Sequence, residues 1–212
     1  VEQFEPALEA GMAAQLAAID TIAAEAAPAT FANTIAALEG SDRLLKQVAA
    51  VYGIWGSTMS TPDFQAVETE MAPKLAAFRD RITQNAKLFA RIAAVYEARD
   101  GAALTPEQKR LTWLYYTDFV RAGARLSPEA KKRVAEVNER LASLHTKFGQ
   151  NVLADENDHV LFLEGERDLA GLPESFRSAA AAAAESRGKK GQWAVLNTRS
   201  SVEPFLSYSD RR

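Results

Sequence analysis

Residues 105–148 read TPEQKRLTWLYYTDFVRAGARLSPEAKKRVAEVNERLASLHTKF, and this stretch decides the fold. Thr105-Pro106-Glu107-Gln108 is a capping box with proline at the first helical position. The threonine hydroxyl satisfies a free backbone N–H, the glutamine reaches back, and proline sits where no intrahelical donor is needed. The spacing predicts a helix from there to about Ala122. Its segment 111–120 is apolar nearly all round, with Leu111, Leu114, Tyr115 and Phe119 facing one way and Trp113, Tyr116 and Val120 another, so burial on two sides is expected. Ser127-Pro128 starts the next helix in the same manner. Val134, Val137, Leu141, Leu144 and Phe148 then alternate three and four apart, which is a heptad seam. The seam is short, so it is expected to pack on a neighbouring antiparallel helix rather than to form a free coiled-coil dimer.

Working toward the N-terminus, the same grammar repeats. Leu8, Met12, Leu16, Ile19 and Ala23 form one apolar stripe over residues 6–26, ended by Pro28. Thr30 caps a second expected helix over 31–52, with Ile35, Leu38, Leu45, Val48 and Tyr52 on one face, after which Gly53, Gly56 and Ser57 loosen the chain. Thr61-Pro62 opens a third helix carrying Phe64, Val67, Met71, Leu75, Phe78 and Ile82. Pro73 lies inside it, where a missing donor and a crowded turn predict a kink. Asn85 marks the next break, and Leu88, Ile92, Val95 and Tyr96 continue a fourth helix to about Arg99.

Toward the C-terminus the pattern changes after Asp158. Residues 159–163 read as a short strand, 173–186 as an alanine-rich helix stopped by Gly188, and 192–196 as a second strand. The expected fold is mainly α: an antiparallel multi-helix array over 1–156, followed by a small strand-helix-strand element over 157–212.

Composition narrows the functions available. The 212 residues contain no cysteine and two histidines, which excludes a disulfide scaffold, thiolate metal sites, a cysteine nucleophile and a histidine-rich metal centre. A formal net charge of −3 leaves no basic footprint for nucleic acid. The acids Glu2, Glu5, Glu9, Asp20, Glu25, Glu39 and Asp42 precede the first cation, Arg43, and read as a solvated acidic face. No run approaches the roughly 18 strongly apolar residues of a membrane span, so no membrane partner is expected. A helical zinc hydrolase needs H-E-x-x-H, because histidines four apart share one helix face while the glutamate activates the metal's water. His145 and His159 fit neither this nor the Glu-x-x-His pairs of di-metal bundles. Gly188-Lys189-Lys190-Gly191 follows a helix and precedes a strand, the reverse of a phosphate loop. No catalytic, cofactor-binding or metal-ligating residue is assigned.

Six strings in order nevertheless resemble the N-terminal region of the thimet-oligopeptidase family of zinc metallopeptidases, above all its bacterial peptidyl-dipeptidase and oligopeptidase A branch. They are FANTIAALE (31–39), APKLAAFRD (72–80), DFVRAGA (118–124), FGQNVL (148–153), LAGLPES (169–175) and PFLSYSDRR (204–212). Residues 192–203 depart from the family's usual approach to Pro204-Phe205. The resemblance implies that residues 1–212 are a single N-terminal domain of a larger enzyme, with both termini reading as cut points. In such enzymes the N-terminal helices wall a deep channel that admits short peptides.

Zinc, the H-E-x-x-H helix and the peptide substrates would then belong to the parent enzyme, and the partner would be the catalytic domain of the same chain. The fragment is expected to bind no cofactor, to be inactive alone and to be cytoplasmic, with a periplasmic location as the alternative. Trp113, Tyr116, Phe205, Leu206 and Tyr208 are the apolar residues expected to face the following domain. The rival reading is a stand-alone helical interaction module without enzymatic activity.

Overall fold

The computed structural model describes residues 1–211. They form two compact units, residues 1–146 and 147–211, and the division falls inside one long helix.

The first unit is helical. Helix α1 (Phe4–Ala24) buries Leu8, Gly11, Ile19 and Ile22. Thr30 caps the next segment reciprocally with Asn33: its hydroxyl accepts from Asn33 N at 3.2 Å, and Asn33 Oδ1 accepts from Thr30 N at 2.7 Å. The single helix expected over 31–52 is corrected here. It is a wide π turn (Phe31–Ala36), a short α2 (Ala37–Ser41) and, after a break at Asp42, α3 (Arg43–Thr58). Gly40, Ser41 and Asp42 explain the break, because glycine is costly in a helix and the other two compete with its ladder. Ser41 Oγ donates to Leu38 O at 2.7 Å. Gly53, Gly56 and Ser57 do not loosen the chain as expected but lie within α3. Tertiary packing bears on Gly56: a Cβ there would stand 2.9 Å from Glu68 Oε1 and 3.2 Å from the buried Phe64 ring, closer than ordinary contact.

Helix α4 (Pro62–Thr83) runs on through Pro73. Asn85 caps α5 (Ala86–Ala98), accepting from Leu88 N at 3.0 Å. Helix α6 (Pro106–Arg121) starts at the capping box as expected. The core joins Ile19 and Ile22 of α1, Ile35, Leu38 of α2, Leu88, Ile92 and Val95 of α5, and Phe119 of α6. Arg91 Nη1 donates to Glu25 O at 2.7 Å and Ala27 O at 2.9 Å, so a cation satisfies carbonyls just beyond the end of α1.

Helix α7 (Pro128–Asp158) spans 31 residues and contains no buried residue. The heptad seam is not packed on a neighbouring helix of its unit as expected: Val137, Leu141 and Leu144 are 37%, 46% and 51% exposed. A different face is held instead. Lys131, Ala135, Asn138 and Ala142 are half-buried, Asn138 Nδ2 donates to both oxygens of Asp80 at 2.8 and 3.1 Å, and Lys131 Nζ donates to Gln84 O at 3.2 Å. A buried carboxylate requires donors, and the row that supplies one sets the rotation of α7 against α4.

In the second unit, β1 (Val160–Leu163) pairs antiparallel with β2 (Trp193–Leu196), Val160 opposite Leu196 and Leu163 opposite Trp193. Helix α8 (Glu174–Glu185) connects them, and Leu163, Leu169, Leu172 and Val195 form a small core. Residues Arg199–Tyr208 form a further helix, α9, absent from the expected strand-helix-strand element. Its end is anchored at Gly171, whose φ of +82° and contact with the Tyr208 carbonyl leave no room for a side chain. Asp210 N donates to Ala170 O at 3.1 Å, and Arg211 pairs with Asp168. Arg212 lies outside the described residues.

Candidate interaction surfaces

Of the residues expected to face a neighbouring domain, Leu206 and Tyr208 are open, 63% and 55% exposed near the end of α9. Phe205, one residue earlier, turns inward and packs on Phe176 with ring centroids 6.4 Å apart. The helical period separates them: Phe205 joins the small core while its neighbour points to water.

Trp113 and Tyr116 are half-buried rather than open. Tyr116 lies in a stack along α5 and α6, its ring 3.8 Å from Tyr96 at 1° and 5.9 Å from Phe89. The Arg99 guanidinium covers the Tyr96 ring at 3.8 Å, and Arg125 donates to the Tyr116 hydroxyl. Arg110 covers the Trp113 ring at 4.2 Å. The sequence marked these aromatics as surplus to one apolar face. Partner rings and guanidinium groups take up that surplus.

Tyr115, on the same helix, donates its hydroxyl to Glu39 Oε1 at 2.5 Å. Burial, then that hydrogen bond and the negative charge of Glu39 and Asp42, hold its ionisation well above the ordinary phenol range. Tyr52 is pushed up to about 12, first by burial and then by the charge of Glu68. It belongs to an aromatic cluster with Phe4 and Phe64, at centroid distances of 5.6 and 5.1 Å. Lys74 ties α4 to α1 through Glu5 and Glu9 at 2.9 and 2.8 Å.

Two clefts were not foreseen. One, of about 420 Å³, runs between the start of α1 and α3 and is lined by Phe4, Ala7, Leu44, Val48, Val51 and Trp55. The other, of about 540 Å³, lies in the second unit, with Val160, Leu161, Val195 and Phe205 as apolar lining and Asp155, His159 and Asn197 as its polar side chains. His159 Nδ1 stands 3.5 Å from Asp155 Oδ1, a two-donor pair. His145 is exposed on α7, and no group of three or more His, Asp or Glu side chains suited to a metal occurs among the described residues. These donors do not fit the three-ligand site a catalytic zinc needs.

The described residues form a mainly α-helical fold, with a second unit of two antiparallel strands and the helices α8 and α9. No family model matches the chain. It is 31% identical over 204 residues, 96% of its length, to the dipeptidyl carboxypeptidases of Escherichia coli (strain K12) and Salmonella typhimurium. It is 27% identical over its full length to oligopeptidase A of Salmonella typhimurium. The chain spans about 30% of the length of these curated relatives. These relatives, named as dipeptidyl carboxypeptidases and oligopeptidases A, are of the thimet oligopeptidase type that the ordered strings of the sequence resemble. No helix among the described residues is long and apolar enough to cross a membrane.

Proposed function

We propose that this chain is the noncatalytic N-terminal region of a zinc-dependent peptidyl-dipeptidase or oligopeptidase of the cytoplasm. In this reading its helices form part of a channel wall that admits short peptides and turns away folded proteins. The catalytic domain, with its zinc, comes from the rest of the same polypeptide, and Leu206 and Tyr208 face it together with the edges of Trp113, Tyr116 and Phe205. One observation carries the reading: the match to peptidases covers nearly all of this chain and only about 30% of theirs.

The test compares the 212-residue chain with a polypeptide extended through its downstream reading frame, using internally quenched oligopeptides. The chain alone is expected to show no turnover with or without added zinc. The extended protein should contain an H-E-x-x-H helix, cleave short peptides, lose activity to a chelator, and spare the same sequence embedded in a folded protein. Hydrolysis by the chain alone, or a stop codon directly after Arg212, overturns the proposal; the second outcome leaves the stand-alone helical module.

A further inference from the structure

Helix α7 carries an apolar row that its own unit does not cover. Val137, Leu141 and Leu144 are 37%, 46% and 51% exposed, at the spacing of knobs that seat between residues of a facing helix. One border of the row is taken, because Asn138, Lys131 and Ala142 lie on the face held by Asp80 of α4 and by Gln84 just after it. The other border is cationic. Arg133 and Arg140 stand seven residues apart, two helical turns along one flank, and both are exposed. Arg133 has a local partner in Glu136 at 3.3 Å, while Arg140 makes no ion pair among the described residues.

This arrangement selects against a second copy. In an antiparallel pair of α7 helices each flank meets its own kind, setting Arg140 against Arg133 or Arg140 of the other copy. In a parallel pair the cationic flank meets the opposite border, where Asn138 and His145 supply no carboxylate. Neither geometry brings a carboxylate to Arg140, and like charges facing each other across a seam disfavour that partner.

We propose that this row is the docking surface for an amphipathic helix with an apolar seam and an acidic flank. That helix lies in the part of the parent polypeptide outside these 212 residues. The source rests on the proposed function above, since the relatives are about three times as long as the region they share with this chain. The row supplies apolar burial, and Arg140 supplies the charge that sets register and excludes basic competitors.

The probes are two designed heptad peptides with the same leucine and valine seam, one flanked by glutamate and the other by lysine. Each is titrated into the 212-residue chain by fluorescence anisotropy. The acidic peptide is expected to bind at least about tenfold more tightly than the basic one. Arg140→Glu should reverse the preference, and the double variant Leu141→Asp/Leu144→Asp should abolish binding of both with helicity and thermal midpoint unchanged. Equal binding of the two peptides, no binding of either, or a dimer of the chain that Leu141→Asp dissociates overturns the proposal.

Hydrogen exchange settles the source. In the extended polypeptide the amides of residues 137–144 should exchange at least about tenfold more slowly than in the 212-residue chain, since covering a helix face suppresses its local opening. Equal exchange overturns assignment of the helix to the same polypeptide. None of these readouts requires hydrolysis, so an inactive extended protein refutes the proposed function and leaves this docking surface standing.

Discussion

Helices α6 and α7 begin in the same way and end up in different surroundings. Each follows a hydroxyl cap and has proline at its first position: Gln108 N donates to Thr105 Oγ1 at 3.3 Å, and Ala130 N donates to Ser127 Oγ at 3.3 Å. Each also carries more apolar side chains than one face can bury. Yet α6 buries Phe119 and Thr112, stacks Tyr116 on Tyr96 and Phe89 and covers Trp113 with Arg110, whereas α7 buries no residue and leaves Leu141 and Leu144 in water. Periodicity reports which side chains would be stabilised by burial. It does not name the element that buries them, and a polar anchor such as Asp80 can claim a neighbouring face first.

The sharpest way to break this comparison is to truncate one large apolar residue on each helix. Phe119→Ala should cost about 3–5 kcal/mol, the combined loss of transfer energy and of packing around a cavity. Leu141→Asp should change stability by no more than about 0.5 kcal/mol, as an exposed position does. Urea denaturation of both variants checks this; a comparable loss at Leu141 would mean that α7 is covered within the chain.

Next in size is the anchor. Asn138→Ala leaves the Asp80 carboxylate buried without its amide donor, and the expected cost is about 1–3 kcal/mol. Hydrogen exchange in the first four turns of α7 should rise with it. If stability is unchanged, Asp80 does not set the rotation of the helix.

Smaller still are the starts. Thr105→Ala and Ser127→Ala should each cost about 1 kcal/mol, and by similar amounts. Similar losses would establish that the two helices differ in their surroundings and not in their local signals. A large disparity in thermal unfolding would place the difference in the caps.

The smallest effect is confined to alkaline solution. Tyr115 of α6 keeps its proton well above the ordinary phenol range, while in the unfolded chain it ionises near pH 10. Above that pH the unfolded state releases a proton the folded state retains, so this contribution is complete below pH 10 and declines as pH rises beyond it. Tyr115→Phe should flatten the decline in a series of urea titrations from neutral to alkaline pH. An unaltered slope would remove Tyr115 as its source.

Much of the molecule was legible because its signals are local. The starts at Thr30, Thr61, Asn85 and Thr105 act through hydroxyl or amide oxygens and the N–H groups three residues on, so few positions decide each one. The strands at β1 and β2 and the stop after α8 follow the same logic. The break at Asp42 was present in Gly40-Ser41-Asp42 but masked by the apolar stripe running across it. The continuation of α3 over Gly56 was not legible at all, since Phe64, which packs against Gly56, comes from another helix. Nor was the inward turn of Tyr116, which depends on Tyr96 and Phe89 arriving from α5.

By itself the sequence determined the class, the caps and the resemblance to peptidases, because these rest on composition, on interactions within one turn and on ordered strings of residues. Only the tertiary structure decided which apolar faces are covered. Leu141 and Phe119 carry the same kind of signal, and the difference between them is set by what the rest of the chain brings within a few ångströms. For Phe119 that is the α1 and α5 core; for α7 it is a buried carboxylate on α4 that holds the face beside the seam.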